Sequence, residues 1–545
     1  MTTRVFLLVL LCGLLHSNAQ SQDFTRADTL RGSITAERAW WDVTFYDLLV
    51  IPNANDSTIT GVNTITYKAL RPGLVMQIDL QEPLEITRAI QNGQQLSYTR
   101  EGNAWFIDMN DIAPANATRE IRIEYSGKPT VARRAPWDGG LVWARDSLSR
   151  PWIATACQGI GASVWWPLKD HQSDEPDSMR ISLRVPEGLI GVSNGRLRDR
   201  RPQTDGTEVF EWFVSSPINS YGVTINVAHY SNFSDLYAGE NGDLDLDYWV
   251  LDYNLDKARN HFGVVSPMME AFEYWFGPYP FYEDSFKLIE TPFVGMEHQS
   301  GVAYGNRYML GYTGRDLSAS GWGMKWDFMI IHESGHEWFG NNITTKDIAD
   351  MWVHEGFTHY SETLFTEYTY GKEGGDAYVQ GIRRNIQNDK PIIGKYGLNN
   401  KGSGDMYYKG AAILHTIRQI IGNDERFRDI LRGLNRDYYH SIVTSAQVEQ
   451  YISEKSGIDF SKVFDQYLRT IKVPEFHYKL TANGTLEYKW VNVVEGFDMP
   501  LRVLVGDQTI MLKPATDLQV VQIQSGIDAI AVDPNYYVIS KHLAE

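Results

Sequence analysis

From residue 36 to residue 253 apolar and polar positions alternate in short runs, the period of strands with one buried face. Residues 43–51 and 120–125 are the clearest runs, and Arg71-Pro72-Gly73 and Gln91-Asn92-Gly93 punctuate the stretch as turns. This pattern predicts a β-sandwich or curved sheet. Near Asp256 the apolar spacing lengthens to the helical period, over residues 268–276, 327–339, 356–370 and 409–421, the last closed by Gly422. A further helix is predicted over 445–471. After Val473-Pro474 the alternation returns, with strands predicted at 501–505 and 518–523. The expected fold class is therefore multidomain α+β. A β domain is expected over residues 20–254, an α-rich domain over 255–472 and a small β domain over 473–545.

Composition changes this picture little. The 545 residues exceed what one hydrophobic core organises, and 43% hydrophobic with 22% charged residues is the balance of a soluble globular chain. A formal net charge of -18 disfavours nucleic-acid binding, which needs a basic footprint, and suits cationic partners. The N-terminus adds a targeting expectation. Arg4, the apolar run 5–15 and Ser17-Asn18-Ala19 read as an export signal over residues 1–19, implying a secreted, periplasmic or extracellular protein. The apolar run is too short for a transmembrane helix, which needs about 20 residues, and no later segment is long and apolar enough. With Cys12 inside the signal, only Cys157 remains, so no internal disulfide is expected. Sequons begin at Asn55, Asn116, Asn232, Asn342 and Asn483.

The chemistry concentrates in residues 331–339, which contain His332-Glu333-Ser334-Gly335-His336 at helical spacing. His332 and His336 stand one turn apart on one face and can grip one ion, for which zinc is the natural choice. Glu333, beside the first ligand, can reach a metal-bound water instead of the metal. A catalytic zinc takes three protein ligands plus water. Eighteen residues beyond His336 comes Glu355, which a second, antiparallel helix would present to the same ion. The competing donors fit less well: His354 is one residue off that face, His359 is displaced along the helix, and Glu337 points about 100° away from His336.

This H-E-x-x-H, eighteen residues, Glu arrangement resembles the gluzincin aminopeptidases, the family of aminopeptidase N and leukotriene hydrolase. Val294-Gly295-Met296-Glu297-His298 is similar to that family's G-x-M-E-N motif, and Tyr407-Tyr408-Lys409-Gly410 to its Y-x-K-G. Phe276-Gly277-Pro278-Tyr279-Pro280-Phe281 resembles its entry into the catalytic domain. The resemblance covers roughly residues 158–468 and implies a β-saddle N-terminal domain, a thermolysin-like catalytic domain and one Zn2+ per chain. It further implies that Tyr407 stabilises the transition state, and that Glu297, Gly295, Met296 and Gln158 bind substrate. His298 and His354 depart from the family's asparagines. Where many members continue into a large helical C-terminal domain, about seventy residues of β-pattern are expected here.

The resulting expectation is a zinc aminopeptidase acting on peptides with a free N-terminus. Glu333 would accept a proton from water and return it to the leaving amine. A carboxylate near the metal, Glu297, would fix the substrate ammonium. The alternatives are an endopeptidase or epoxide hydrolase on the same site, and a catalytically silent binding protein.

Overall fold

The computed structural model describes residues 23–481, 483–506, 508–523, 527 and 530–543. The export signal expected over 1–19 lies outside them. The N-terminal part is built on the long hairpin Trp41–Asn53 and Thr58–Ala69, paired antiparallel from Trp41↔Ala69 to Asn53↔Thr58. Burial alternates along both strands, as the sequence pattern requires, and the alternation slips once at a bulge between Val43 and Phe45. Ser178–Pro186 joins parallel to the first strand and Thr118–Gly127 antiparallel to the second, within an eight-stranded sheet. Smaller sheets of four and three strands accompany it, and Trp41, Trp165 and Trp166 are among the largest side chains fully buried in this core.

A five-stranded sheet crosses the division expected at 254–255. Tyr230–Gly239 and Gly242–Leu251 pair with each other, and the second continues in parallel to Phe286–Glu290. Phe233, Tyr237, Leu244, Leu246, Tyr248 and Val250 are buried in the same core as the helices beyond residue 255, while Tyr230 and Leu251 join the N-terminal core, so these strands bridge the two regions. Periodicity shows that a strand is half-buried, but not which neighbour buries it. The last helix also differs from expectation. Ser445–Ser456 ends where Gly457 takes φ +67°, and a separate helix runs over Ser461–Arg469. A left-handed glycine caps a helix instead of continuing it.

The C-terminal strands from Glu475 onward share one hydrophobic core with the helical region, through Phe476, Trp490, Leu501 and Tyr536. Arg383 ties them down by donating to the carbonyls of Asn535 at 2.7 Å and Tyr536 at 3.1 Å. Among the described residues no helix is long and apolar enough to cross a membrane. The sequon at Asn342 is closed in the folded chain: Asn342 is buried and its amide donates to Asn435 Oδ1 at 3.0 Å.

Candidate metal centre and active site

Two helices bring the chemistry together. Phe328–Gly335 starts at Asp327, whose carboxylate caps it by accepting from the Met329 N–H at 2.9 Å. That carboxylate is itself held by Asn306 Nδ2 and the Tyr304 hydroxyl, each at 2.8 Å. The helix is shorter than the predicted 327–339. At Gly335 it tightens into a turn, with Trp338 and Phe339 N–H groups both pointing at the Gly335 carbonyl, and His336 keeps helical backbone angles as the cap residue. The i, i+4 relation of the histidines therefore survives. Trp352–Tyr370 supplies Glu355 from its first turn.

His332, His336 and Glu355 converge, buried, with ligand atoms within 4.8 Å of one another. Glu355 Oε2 lies 3.3 Å from His336 Nε2 and 3.8 Å from His332 Nε2. A tetrahedral ion with bonds of ~2.0–2.1 Å needs neighbouring donors roughly 3.3 Å apart, so the set fits zinc. Glu355 Oε2 is also a buried oxygen without a hydrogen-bond partner, the kind of orphan a bound cation satisfies. The opposite ring nitrogens are tied back. His332 Nδ1 is 2.7 Å from Glu362 Oε1, and His336 Nδ1 is 3.0 Å from the Phe339 carbonyl and 3.1 Å from Thr358 Oγ1. These contacts leave Nε2 of each ring to face the centre.

Electrostatics point the same way. Burial alone depresses an imidazole, yet His332 is held well above its ordinary range by Glu355 and Glu362, and His336 is raised by Glu297 and Glu355. Burial, followed by the nearby Glu297, pushes Glu333 up to about 7. Among the described residues no Lys or Arg pairs with Glu297, Glu333 or Glu355; the ion-pair partners of Glu355 are the two imidazoles. Such a cluster of buried carboxylates is built to receive positive charge.

The remaining predicted residues surround this centre. Gln158 Nε2 donates to Glu297 Oε1 at 2.5 Å and to Glu355 Oε1 at 2.8 Å, linking the two carboxylates. Its loop needs its glycines: Gly161 has φ +90°, and a Cβ there would sit 2.0 Å from Arg31 Nη2. The Tyr407 hydroxyl donates to Glu355 Oε1 at 3.0 Å, and burial with the Glu355 charge raises its pKa well above the phenol range, keeping it a donor. Gly295–Met296 is the edge strand of the five-stranded sheet, paired only with Val302–Tyr304. A Cβ on Gly295 would lie 2.7 Å from Glu333 Oε1, so only glycine lets this strand approach the carboxylate. The same logic holds for Gly410, whose Cβ would fall 2.7 Å from Gly356 Cα; this backbone contact seats the Tyr407 helix start beside Glu355.

His298 and His354 do not line the cavity. Both are buried, with burial pushing each ring down to about 3; His354 Nε2 accepts from the Thr345 N–H at 2.8 Å. Glu337 is likewise turned away, accepting from the Tyr279 hydroxyl at 2.8 Å. The cavity holds about 460 Å³ and adds Tyr312, Phe328, Met329, Met406 and Tyr408 to the predicted residues, with Trp137, 63% exposed, at its mouth. Sequence reasoning missed Glu362, although it lies seven residues, two helical turns, beyond Glu355 and thus on the same face. His359 also reaches the cavity wall, with Nδ1 2.7 Å from Glu362 Oε1.

Comparison with known proteins agrees with this geometry. The family model described as Peptidase family M1 domain matches residues 261–467. The chain is 21% identical to aminopeptidase B of Mus musculus over 80% of its own length and 69% of that protein. It is 23% identical to aminopeptidase B of Rattus norvegicus over 62% of its length and 52% of that protein. In fold it is similar to an M1 zinc metallopeptidase of Deinococcus radiodurans solved with a Tyr-Ser-Ala substrate. That match has a TM-score of 0.67 at 18% identity, and covers 82% of this chain and 98% of that one. Residues 261–467 thus carry a peptidase family M1 domain, and the ligand set and fold around it agree with a gluzincin zinc aminopeptidase.

Proposed function

We propose that the protein removes single residues from the free N-termini of peptides, with Zn2+ held by His332, His336 and Glu355. Bound there, the ion would supply Lewis acidity toward the scissile carbonyl and toward an attacking water. Glu297 and Gln158 fix the substrate ammonium. The observation that carries this reading is the buried Glu297 carboxylate, held beside the ligand set by Gln158 and paired with no Lys or Arg among the described residues. A peptide ammonium completes that charge balance, whereas an internal peptide segment leaves the carboxylate desolvated and unpaired.

Glu333 acts as general base and acid: it takes the proton of the attacking water and returns it to the leaving nitrogen. Its raised pKa suits both halves of that exchange near neutrality. Tyr407 donates its hydroxyl hydrogen bond to the oxygen that becomes negative. The open edge of Gly295–Met296 offers main-chain groups to an extended substrate. The Deinococcus radiodurans relative, bound to a tripeptide, is consistent with that class of ligand.

Mass spectrometry of an unblocked hexapeptide during digestion tests this directly. Successive loss of single N-terminal residues, abolished by a zinc chelator, is the expected result. Internal fragments appearing first would assign an endopeptidase, and no cleavage by zinc-loaded protein would favour a silent binding role. The leader at 1–19 extends the proposal to an exported enzyme. Recovery outside the cytoplasm of a chain beginning near residue 20 checks it; a chain retained inside with residues 1–19 intact contradicts it.

A further inference from the structure

The edge strand beside the metal site serves a second cavity. Val294 lines the catalytic cavity on one side and, on the other, a basin of about 770 Å³ that also includes Phe293 and Tyr308. Three cations line that basin: Arg145, Lys257 and Arg307, all exposed. Among the described residues none of them pairs with a carboxylate; Arg145 donates only to the Ser149 carbonyl, at 2.7 Å. The basin's own carboxylates are already committed. Asp146 accepts from Arg150 Nε at 2.8 Å, and Glu290 accepts from the Leu251 N–H and from Asn254 Nδ2, each at 2.8 Å. Lys257 lies over the Tyr308 ring at 4.7 Å and feels the Glu290 charge, so Arg307 and Arg145 are the basin's surplus cations, set in a chain with a formal net charge of -18.

The direction of the substrate connects the two cavities. Beyond Glu297 the chain closes into buried turns, with His298 N–H on the Met296 carbonyl at 3.0 Å and Gly301 N–H on the His298 carbonyl at 2.9 Å. A peptide whose amine sits at Glu297 must therefore run the other way, antiparallel to the strand, past Gly295 toward Val294 and Phe293. It advances about one residue per strand residue. We propose that the basin receives the carboxylate end of short peptide substrates, roughly three to five residues long, and that Arg307 and Lys257, with Arg145 behind them, select for a free C-terminal carboxylate there. This rests on the reading that Glu297 holds the amine.

The test compares kcat/KM for peptides of graded length, each as free acid and as C-terminal amide, within one preparation so that general damage cancels in the ratio. The acid should be favoured about three- to tenfold at roughly three to five residues, and the preference should shrink at high salt. In Arg307→Glu it should vanish or invert, and Lys257→Gln should reduce it. Acid-to-amide ratios near one at all lengths in the wild type overturn the proposal, as does a ratio unchanged in Arg307→Glu. If that variant does not fold, the wild-type ratio and its salt dependence still decide. Cleavage of N-acetylated versions as fast as free ones would instead overturn the amine reading, which separates the two failures.

Discussion

Gly295→Ala isolates one link between structure and catalysis. Gly295 has no positive φ, so alanine can adopt its backbone without strain. The added methyl, however, would lie 2.7 Å from both Glu333 Oε1 and Met329 Sδ, where ordinary contact begins near 3.4 Å. The obstructing atoms belong to two flexible side chains, with Glu333 Cγ also 3.0 Å away, so the misfit resolves by moving those side chains about 0.7 Å instead of the strand. Stability should fall by less than about 1.5 kcal/mol, the lower end of overpacking costs. Turnover should suffer more, because a catalytic group misplaced by about 1 Å costs on the order of a hundredfold. The expected result is kcat lowered about 10- to 100-fold, with zinc content unchanged, since the atoms nearest the methyl belong to Glu333 and Met329 and not to a ligand. Steady-state kinetics, metal analysis and thermal unfolding on one sample measure all three. Wild-type kcat in Gly295→Ala, or loss of zinc in place of turnover, would refute the claim that this glycine exists to admit the Glu333 carboxylate.

Other consequences are equally specific. Tyr407→Phe should lower kcat about a hundredfold or more while zinc stays bound, and near-normal turnover would remove Tyr407 from transition-state stabilisation. Glu362→Ala frees His332 Nδ1 and should weaken zinc about 10- to 100-fold in competition with a chromophoric chelator; unchanged affinity would make Glu362 merely structural. Gly410→Ala places a Cβ 2.7 Å from Gly356 Cα, and backbone cannot yield as a side chain can, so a stability loss of about 1–3 kcal/mol is expected in denaturant melts. Full stability there would contradict the close helix contact.

The metal ligands were legible because spacing in sequence maps directly onto a helix face: His332 and His336 one turn apart, and Glu355 returned by a second helix. The strand at Trp41–Asn53 was legible for the same reason, its alternation of burial matching its alternation of residues. What stayed hidden depends on partners distant in the chain. The Gln158 bridge spans 139 residues to Glu297 and 197 to Glu355. Likewise, no local pattern around 230–251 says that these strands join the catalytic sheet, or that Asn342 in a sequon faces inward. The break at Gly457 was present as a residue type but overridden by the longer helical period around it. Tyr407 and Gln158 entered through family resemblance, and their hydrogen bonds to Glu355 now give that resemblance a physical basis in this chain.

If Glu297 pairs with the substrate ammonium, removing it should abolish discrimination between free and blocked amines. A matched pair of fluorogenic aminoacyl substrates, free and N-acetylated, is compared in zinc-loaded wild type and in Glu297→Ala. Loss of one partner of a buried charge pair costs ~2–5 kcal/mol, so the wild type should favour the free substrate by about 30-fold or more in kcat/KM. In Glu297→Ala that preference should collapse. Equal cleavage of both substrates by the wild type, or a preference that survives the substitution, would contradict the account.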